Sequence, residues 1–420
     1  MKQFFWLFIL IIFFINVIYA QLTPSIDWLK IYDGIGKSID MTNDAKVDRN
    51  YNIYLAGRSS GIDGSQDLLI LKYSRLGELI SEIRYVSAPS SGEEANSIAI
   101  DSSNNLYCIG SASFGTSSFF TIIQKYSPNG VLSWNKNFYN TSDQYSEGIT
   151  ITVDKENNVI AGYHLNGACF TKYTSFGDSL WSATIADDTS RYALDYITTD
   201  KSNNIYVAYT EYYSGEGVPN PRIHTYKYDK NGKIIWHKTF NGIYTEKIVL
   251  DKTNNIIQLV ITSESGVIIK MNQTGEIEWE NNSGILILTD VSVDFENNIL
   301  VTGYGVTSNS FDYFTKKYSE NGIDEWTQIF NGAENLKDYA MALAIDNFNS
   351  IYVTGSTNNS ISQGVSYTVK YSKDGELLWQ QKFDALHSIF ENSNFESTPK
   401  SPKRVKTRLG KFVFSLLTPR

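Results

Sequence analysis

The residue types that could carry catalytic or metal chemistry are few and scattered. No histidine pair has metal-ligand spacing such as His-Glu-x-x-His. The four histidines, in different contexts of the chain, are His164, His224, His237 and His387. His237 directly follows Trp236 in an apolar run, which favours a strand residue over a catalytic base. No paired carboxylates recur outside turn-like segments, so the acid–base pair of a glycosidase is not indicated. We therefore expect no catalytic residue, no cofactor and no metal site.

A polar-aromatic segment between residues 209 and 224 is the best candidate for ligand binding. It contains Tyr209, Tyr212, Tyr213, Arg222 and His224. Tyrosine rings stack on sugars and peptides, and cationic side chains add charge and hydrogen bonds. The sequence predicts a ligand-binding surface there, with a loop that covers its own strand ends as the plainer alternative.

The chain on either side of this segment is built from repeats, and the first repeated phrase consists of an apolar stretch, an Asp, two or three variable residues, Asn-Asn or a near match, and a second apolar stretch. The seven turn aspartates are Asp48, Asp101, Asp154, Asp200, Asp251, Asp294 and Asp346. Their spacings of 53, 53, 46, 51, 43 and 52 residues are typical of propeller blades and other repeat arrays.

A second phrase follows each first one: Lys-Tyr (Lys-Met once), three residues, Gly, three residues and Trp. The repeat lysines are Lys72, Lys125, Lys172, Lys227, Lys270, Lys317 and Lys370, and the repeat glycines are Gly77, Gly130, Gly177, Gly232, Gly275, Gly322 and Gly375. The repeat tryptophans are Trp134, Trp181, Trp236, Trp279, Trp326 and Trp379, with Ser81 in the first repeat. A buried Trp contributes a few kcal/mol at about 25 cal/mol per Å². We interpret these residues as contacts between neighbouring repeats.

Each phrase is typical of a β-hairpin, because a short run rich in Ile, Val, Tyr and Phe ends in Asp, Asn or Gly turn residues before a similar run. Two hairpins make a four-stranded blade. The runs are apolar on both faces, as in 351–355, and both faces of each sheet must then be covered. The sequence predicts an all-β, seven-bladed propeller of four-stranded antiparallel blades. The turn Asp and Asn side chains could ligate calcium, but each turn offers only two or three oxygens, which favours turn closure.

The two phrases resemble the bacterial β-propeller repeat family called SBBP, most closely at residues 346–355 and 370–379. The resemblance covers roughly residues 26–384 and implies an extracellular propeller without one particular activity. The segment from Tyr228 to Trp236 is also similar to the tryptophan-docking repeat of quinoprotein dehydrogenases, which have eight blades. The alternative of eight blades stays open, because residues 28–32 look like a fourth strand ahead of the first repeat. The apolar segments 386–390 and 411–417 could then supply the other strands of that blade.

The chain ends differ from the repeats. Residues 1–20 look like a signal peptide, with Lys2 before an apolar run from Phe4 to Tyr19 and cleavage near Ala20; an uncleaved anchor is the alternative. The propeller is expected over 21–384 and a divergent basic tail, with disorder as one alternative, over 385–420. Since residues 387–420 carry a balance of +5 against −9 for the whole chain, the remainder is near −14. An acidic body argues against nucleic acid as the partner.

The expected function is a secreted or cell-surface binding module. Cys108 and Cys169 are too few for a disulfide framework, so the core must stabilise the fold, although one bridge between them is conceivable. The connections that vary in length should lie together at one end of the propeller, where function usually resides. We expect a monomer that binds a protein or glycan there, with no membrane span after signal cleavage. The alternative is an enzyme, either a quinone-cofactor dehydrogenase or a polysaccharide-active propeller.

Overall fold

The computed structural model describes residues 28–384, with gaps at 33, 37–39, 88–91, 115–117, 140–145, 166, 187–191, 213–220, 286, 308–309, 333–336 and 359–363, and residues 413–416. The predicted signal peptide and most of the tail lie outside these residues. Every regular element described is a β-strand, and no helix in this part of the chain is long and apolar enough to cross a bilayer.

Thirty strands are described, and β2 to β29 form seven four-stranded blades, numbered 1 to 7 in chain order. Blade 1 contains β2 (Asp40–Val47), β3 (Ile53–Ser60), β4 (Gln66–Tyr73) and β5 (Leu79–Tyr85); blade 2 contains β6 (Gly92–Ile100), β7 (Leu106–Phe114), β8 (Ser118–Tyr126) and β9 (Leu132–Phe138). Blade 3 contains β10 (Glu147–Val153), β11 (Val159–His164), β12 (Ala168–Tyr173) and β13 (Ser179–Ala186); blade 4 contains β14 (Tyr192–Thr199), β15 (Ile205–Glu211), β16 (Arg222–Tyr228) and β17 (Ile234–Asn241). Blade 5 contains β18 (Tyr244–Leu250), β19 (Ile256–Ile261), β20 (Gly266–Met271) and β21 (Ile277–Asn282); blade 6 contains β22 (Ile287–Val293), β23 (Ile299–Thr307), β24 (Ser310–Tyr318) and β25 (Asp324–Phe330). Blade 7 contains β26 (Asp338–Ile345), β27 (Ile351–Asn358), β28 (Gly364–Tyr371) and β29 (Leu377–Asp384), while β1 (Trp28–Ile31) and β30 (Val413–Leu416) form a separate pair.

The strands of each blade pair antiparallel in chain order, as two successive hairpins require. A single parallel bridge between Gln66 and Gly92 also joins the sheets of blades 1 and 2. The first strands of successive blades contact one another from β2 to β26. Apolar clusters fill every junction from blades 1 and 2 to blades 6 and 7. The predicted seven-bladed propeller is thereby confirmed.

The turn between the first two strands of a blade closes on its Asp, as predicted. In blade 3, Oδ1 of Asp154 accepts the backbone N–H groups of Glu156 and Asn158 at 2.9 and 2.8 Å. Asn157 adopts φ 63°, the left-handed region that Asn tolerates better than most residues. Its side-chain oxygen accepts the backbone N–H of Ser102 in blade 2 at 3.0 Å. The same short phrase therefore closes a turn and ties it to the preceding blade.

The repeat Lys, Gly and Trp form one joint between neighbouring blades. At the junction of blades 5 and 6, the Lys270 ammonium and the Trp279 indole N–H both donate to the carbonyl of Glu320, at 2.9 and 3.0 Å. Gly322 has φ 79°, and a Cβ at this position would lie 2.7 Å from Trp279 Cδ2. Five junctions have this arrangement, with the indole donors Trp134, Trp181, Trp236, Trp279 and Trp326. The predicted contacts between repeats are confirmed there.

Blade 1 packs against blade 2 without a repeat tryptophan. Ser81 stands in the Trp position, and Ile83 lies beside Gly130, 3.6 Å from where a Cβ would be. Tyr32, which follows β1, packs on the apolar residues of blade 1 and donates its hydroxyl to Glu82 at 2.9 Å. The predicted extra strand at residues 28–31 exists, and its partner is β30 of the tail. The tail thus contributes one strand, which lies within the apolar segment 411–417 that the alternative of eight blades relied on and which the expectation of a divergent tail did not include.

The two cysteines do not pair. Cys108 and Cys169 are both free and buried. Cys108 packs in the cluster between blades 1 and 2, whereas Cys169 packs between blades 2 and 3. The conceivable bridge between them is therefore not formed, because each sulfur occupies a different core.

Candidate functional site

Blade 4 carries a stack of aromatic side chains on the face that it turns toward blade 3. The antiparallel register places Tyr209 of β15 opposite His224 of β16, and Tyr226 opposite His237 of β17. The Tyr209 and His224 rings lie 4.8 Å apart at 7°, and the Tyr226 and His237 rings 4.0 Å apart at 14°. The two histidine rings are stacked 5.2 Å apart. Four rings thus form one continuous stack across three strands.

A hydrogen-bonded chain runs through this stack to a carboxylate. His224 Nε2 lies 3.1 Å from Glu211 Oε2, and His224 Nδ1 lies 3.0 Å from His237 Nε2. A carboxylate only accepts, so His224 donates from Nε2; when neutral, it accepts at Nδ1 from the Nε2–H of His237. The hydroxyl of Tyr192 donates to the other oxygen of Glu211 at 3.1 Å. Every polar atom of His224 is therefore occupied within blade 4.

The electrostatic environment keeps this stack neutral at its outer end. Partial burial, and then the neighbouring His224, lower the pKa of His237. Burial, together with the hydrogen bond to Tyr226, raises the pKa of Tyr209, so its phenol stays protonated. The Glu211 carboxylate, in contact with His224, adds a hydrogen-bond acceptor at the inner end of the stack.

The structure brings some of the predicted ligand residues together and separates others. Tyr209 is only 5% exposed, and His224 is partly buried beside it, so both support the stack from inside. Arg222 is exposed at the first residue of β16, opposite Glu211. Tyr212, directly after β15, is partly buried, and Tyr213 lies outside the described residues. The connection between Glu211 and Arg222 leaves blade 4 at the end opposite the Asp turns, because Ile205 and Tyr228 pair beside those turns.

Sequence reasoning missed two members of the site, Tyr226 and His237. The expectation that the histidines stand in separate contexts is wrong for His224 and His237, which share blade 4 and touch. The strand register was the signal that could have found them. Counting outward from the turn at Gly232 places His237 opposite Tyr226, and the next cross-strand pair on the same face is His224 opposite Thr239. The repeat phrase contains this information because its turns set the strand pairing.

The geometry suits binding better than metal chemistry. Both ring nitrogens of His224 already have partners at 3.0 and 3.1 Å, so the two histidines and Glu211 point at one another and not at a shared centre. Among the described residues no group of three or more His, Cys, Asp or Glu side chains is placed to hold a metal ion. On the outer side, His237 and Thr239 are exposed along β17. The stack therefore presents a flat ring and hydrogen-bonding groups to solvent.

The fold and the repeat agree with the comparisons to known proteins. Residues 325–361, from β25 into the connection after β27, match the SBBP β-propeller repeat. The resemblance seen in the two phrases is confirmed at this repeat, and the chain is a β-propeller repeat protein.

Among curated proteins, the chain is 23% identical over 266 residues to an uncharacterized WD repeat-containing protein of Acanthamoeba polyphaga mimivirus. That match covers 47% of this chain and 18% of the viral protein, so the chain spans about a fifth of its relative's length. Among solved structures, the Dos1 propeller has a TM-score of 0.52 at 10% identity, covering 77% of this chain and 78% of that one. Prolyl oligopeptidase B from Galerina marginata has a TM-score of 0.51 at 10% identity, covering 89% and 53%. At such identity these structures show the fold alone.

Proposed function

We propose that this β-propeller is an exported binding module that recognises a partner protein or a glycan through the loop end and outer edge of blade 4. The observation that supports this proposal is the ring stack of Tyr209, His224, Tyr226 and His237, with Glu211 at its inner end. Rigid aromatic surfaces bind partners at low entropic cost, because few torsion angles must be fixed. Export is inferred from the apolar run between Phe4 and Tyr19.

The stack is particular to blade 4. At the position of His237, directly after the repeat Trp or its replacement, the other blades carry Glu82, Asn135, Ser182, Glu280, Thr327 and Gln380. At the position of Tyr226, directly before the repeat Lys, they carry Leu71, Gln124, Thr171, Ile269, Lys316 and Val369. A feature that all blades needed for folding would recur in each. The departure from the repeat is therefore better explained by a function than by stability.

The exposed side of the stack fits hydroxyl-bearing or peptide ligands. His237 offers an exposed ring face, and Thr239 two residues along β17 offers a hydroxyl. Arg222 adds a guanidinium, a planar donor for carboxylate or carbonyl oxygens. Since the rings behind them are already packed and hydrogen-bonded, little ordering is required when a ligand binds.

Binding to a glycan array and to intact cells tests the proposal directly. We expect His237→Ala and Arg222→Ala to weaken capture, because they remove the exposed ring and cation while leaving Tyr209 packed. Gln380→Ala is the matched control, since Gln380 occupies the same exposed position in blade 7. Capture by the two blade 4 variants at the level of the Gln380 variant would remove this surface from consideration.

A further inference from the structure

A second concave surface lies on the axis of the propeller, at the end where the Asp turns are. A cavity of about 630 Å³ is bounded there by the last residues of the first strands of blades 1 to 5 and by the residues that follow them. We call this opening, which is lined by five of the seven blades, the channel mouth. The connection between Glu211 and Arg222, part of the candidate surface of blade 4, begins and ends at the opposite end of the blade from the Asp turns. The two surfaces are therefore separate.

The position directly after each turn Asp gives this mouth its charge. Blades 1, 3, 4 and 5 carry Arg49, Lys155, Lys201 and Lys252 there, and all four are exposed. The other blades carry Ser102, Phe295 and Asn347. No acidic residue occupies this position in any of the seven blades, although the chain has 45 acidic and 36 basic residues. Arg49, Lys155 and Lys201 line the cavity itself.

The aspartates of the mouth do not offset these cations, because their carboxylates are turned into the blades. The five that line the cavity are at most 6% exposed. Asp154, for example, uses Oδ1 for two backbone N–H groups and lies 2.8 Å from the buried ammonium of Lys172. Asp48 and Asp251 have the same kind of partner in Lys72 and Lys270, each at 3.8 Å. Asp48, Asp154 and Asp251 are therefore each paired with their own repeat lysine, whereas Asp101 and Asp200 accept the hydroxyls of Tyr107 and Tyr206 at 3.0 and 3.1 Å.

The glutamate beside Lys155 is also engaged by other side chains. Glu156, next to Lys155, lies 3.5 Å from the ammonium of Lys230 in the outer turn of blade 4 and accepts the amide of Asn203 at 2.9 Å. Lys201 donates to the carbonyl of Lys252 at 2.8 Å, which holds its ammonium along the rim without cancelling its charge. Glu156 is thus occupied by Lys230 and Asn203, while the exposed cations Arg49, Lys155 and Lys201 line the channel mouth.

We propose that this channel mouth binds a small polyanion that carries several phosphate or sulfate groups. Cations contributed by separate blades around one opening match several charged groups on one ligand better than a single charge. A concave opening whose exposed charged side chains are all cationic concentrates the field and raises the local concentration of the opposite ion. The site is independent of the blade 4 surface.

Isothermal titration of the full chain with inorganic tripolyphosphate, and separately with a sulfated disaccharide, tests this assignment. We expect Lys155→Ala and Lys201→Ala each to weaken binding by about tenfold, the order expected for one charge-assisted hydrogen bond. Higher salt should weaken binding by the unaltered protein through screening. Preference for one of the two probes identifies phosphate or sulfate as the recognised group.

Two control variants test whether binding depends on the cations of the channel mouth or on positive charge elsewhere in the protein. Lys233→Ala removes the same charge from an exposed residue in the outer turn of blade 4, and it should bind like the unaltered protein. Replacing Lys403 and Arg404 by Gln tests the basic tail in the same way. Equal binding by the Lys201 and Lys233 variants, loss of binding in the tail variant alone, or no binding of either probe would each overturn the proposal. Melting temperatures of all variants confirm that the fold is intact.

Discussion

The close approach of Gly322 to Trp279 leads to a quantitative prediction about the joints between blades. Replacing Gly322 by Ala puts a Cβ 2.7 Å from Trp279 Cδ2 and 2.9 Å from its Cγ. The backbone angle of φ 79° adds a left-handed strain of roughly 1–2 kcal/mol for a residue with a side chain. Overpacking against a fixed ring adds about 1–3 kcal/mol. Gly322→Ala should therefore lower the free energy of unfolding by about 2–5 kcal/mol.

Gly64 provides the control, because it has nearly the same backbone angle, φ 81°, and nothing within 4 Å of its would-be Cβ. Gly64→Ala should lose only the backbone contribution, about 1–2 kcal/mol. Urea unfolding followed by tryptophan fluorescence measures both variants from the shift in midpoint at constant slope.

A double variant isolates the ring contact itself. In Gly322→Ala/Trp279→Ala the new methyl group no longer meets an indole, so the two losses should not add. Equal destabilisation by the Gly64 and Gly322 substitutions, or strict additivity with Trp279→Ala, would refute the view that the indole is docked on the glycine of the next blade.

Three further results are expected. Lys172→Met should lower the free energy of unfolding by about 3–5 kcal/mol, because it leaves the Asp154 carboxylate buried without its cation. In urea unfolding, adding Asp154→Asn should recover most of this loss, and no recovery would contradict the pairing. The pKa of His237 is lower in the folded protein than in the unfolded chain, so the unfolded chain binds a proton at this imidazole more readily. The neutral imidazole therefore contributes stability at pH values above the unfolded pKa, and this contribution is lost as pH falls through the folded pKa. His237→Gln should flatten the fall in melting temperature on acidification, and an unchanged slope would argue against it. Burial raises the pKa of both the Cys108 and Cys169 thiols, so a thiol reagent should react only after unfolding; rapid reaction of the native protein would show that these cores open.

The features that sequence alone determined are those whose causes lie within a few residues. Asp154, Asn157 and Asn158 close a turn by contacts across at most four positions, so the phrase can be interpreted without the fold. Seven copies at blade-like spacing then require seven hairpin pairs, and apolar runs on both faces require neighbours on both sides. Architecture and blade number followed from local chemistry and repetition.

Tertiary structure decided which residues meet. Trp279 was predicted to join blades, but its partners, Gly322 and the carbonyl of Glu320, became evident only from how two sheets pack. His237 gained its role from strand register, which depends on turn geometry and on which face is buried. The pairing of β1 with β30 joins opposite ends of the chain, and no local pattern encodes so distant a contact. The channel mouth likewise depends on blade packing, since only the assembled blades bring Arg49, Lys155 and Lys201 to one opening.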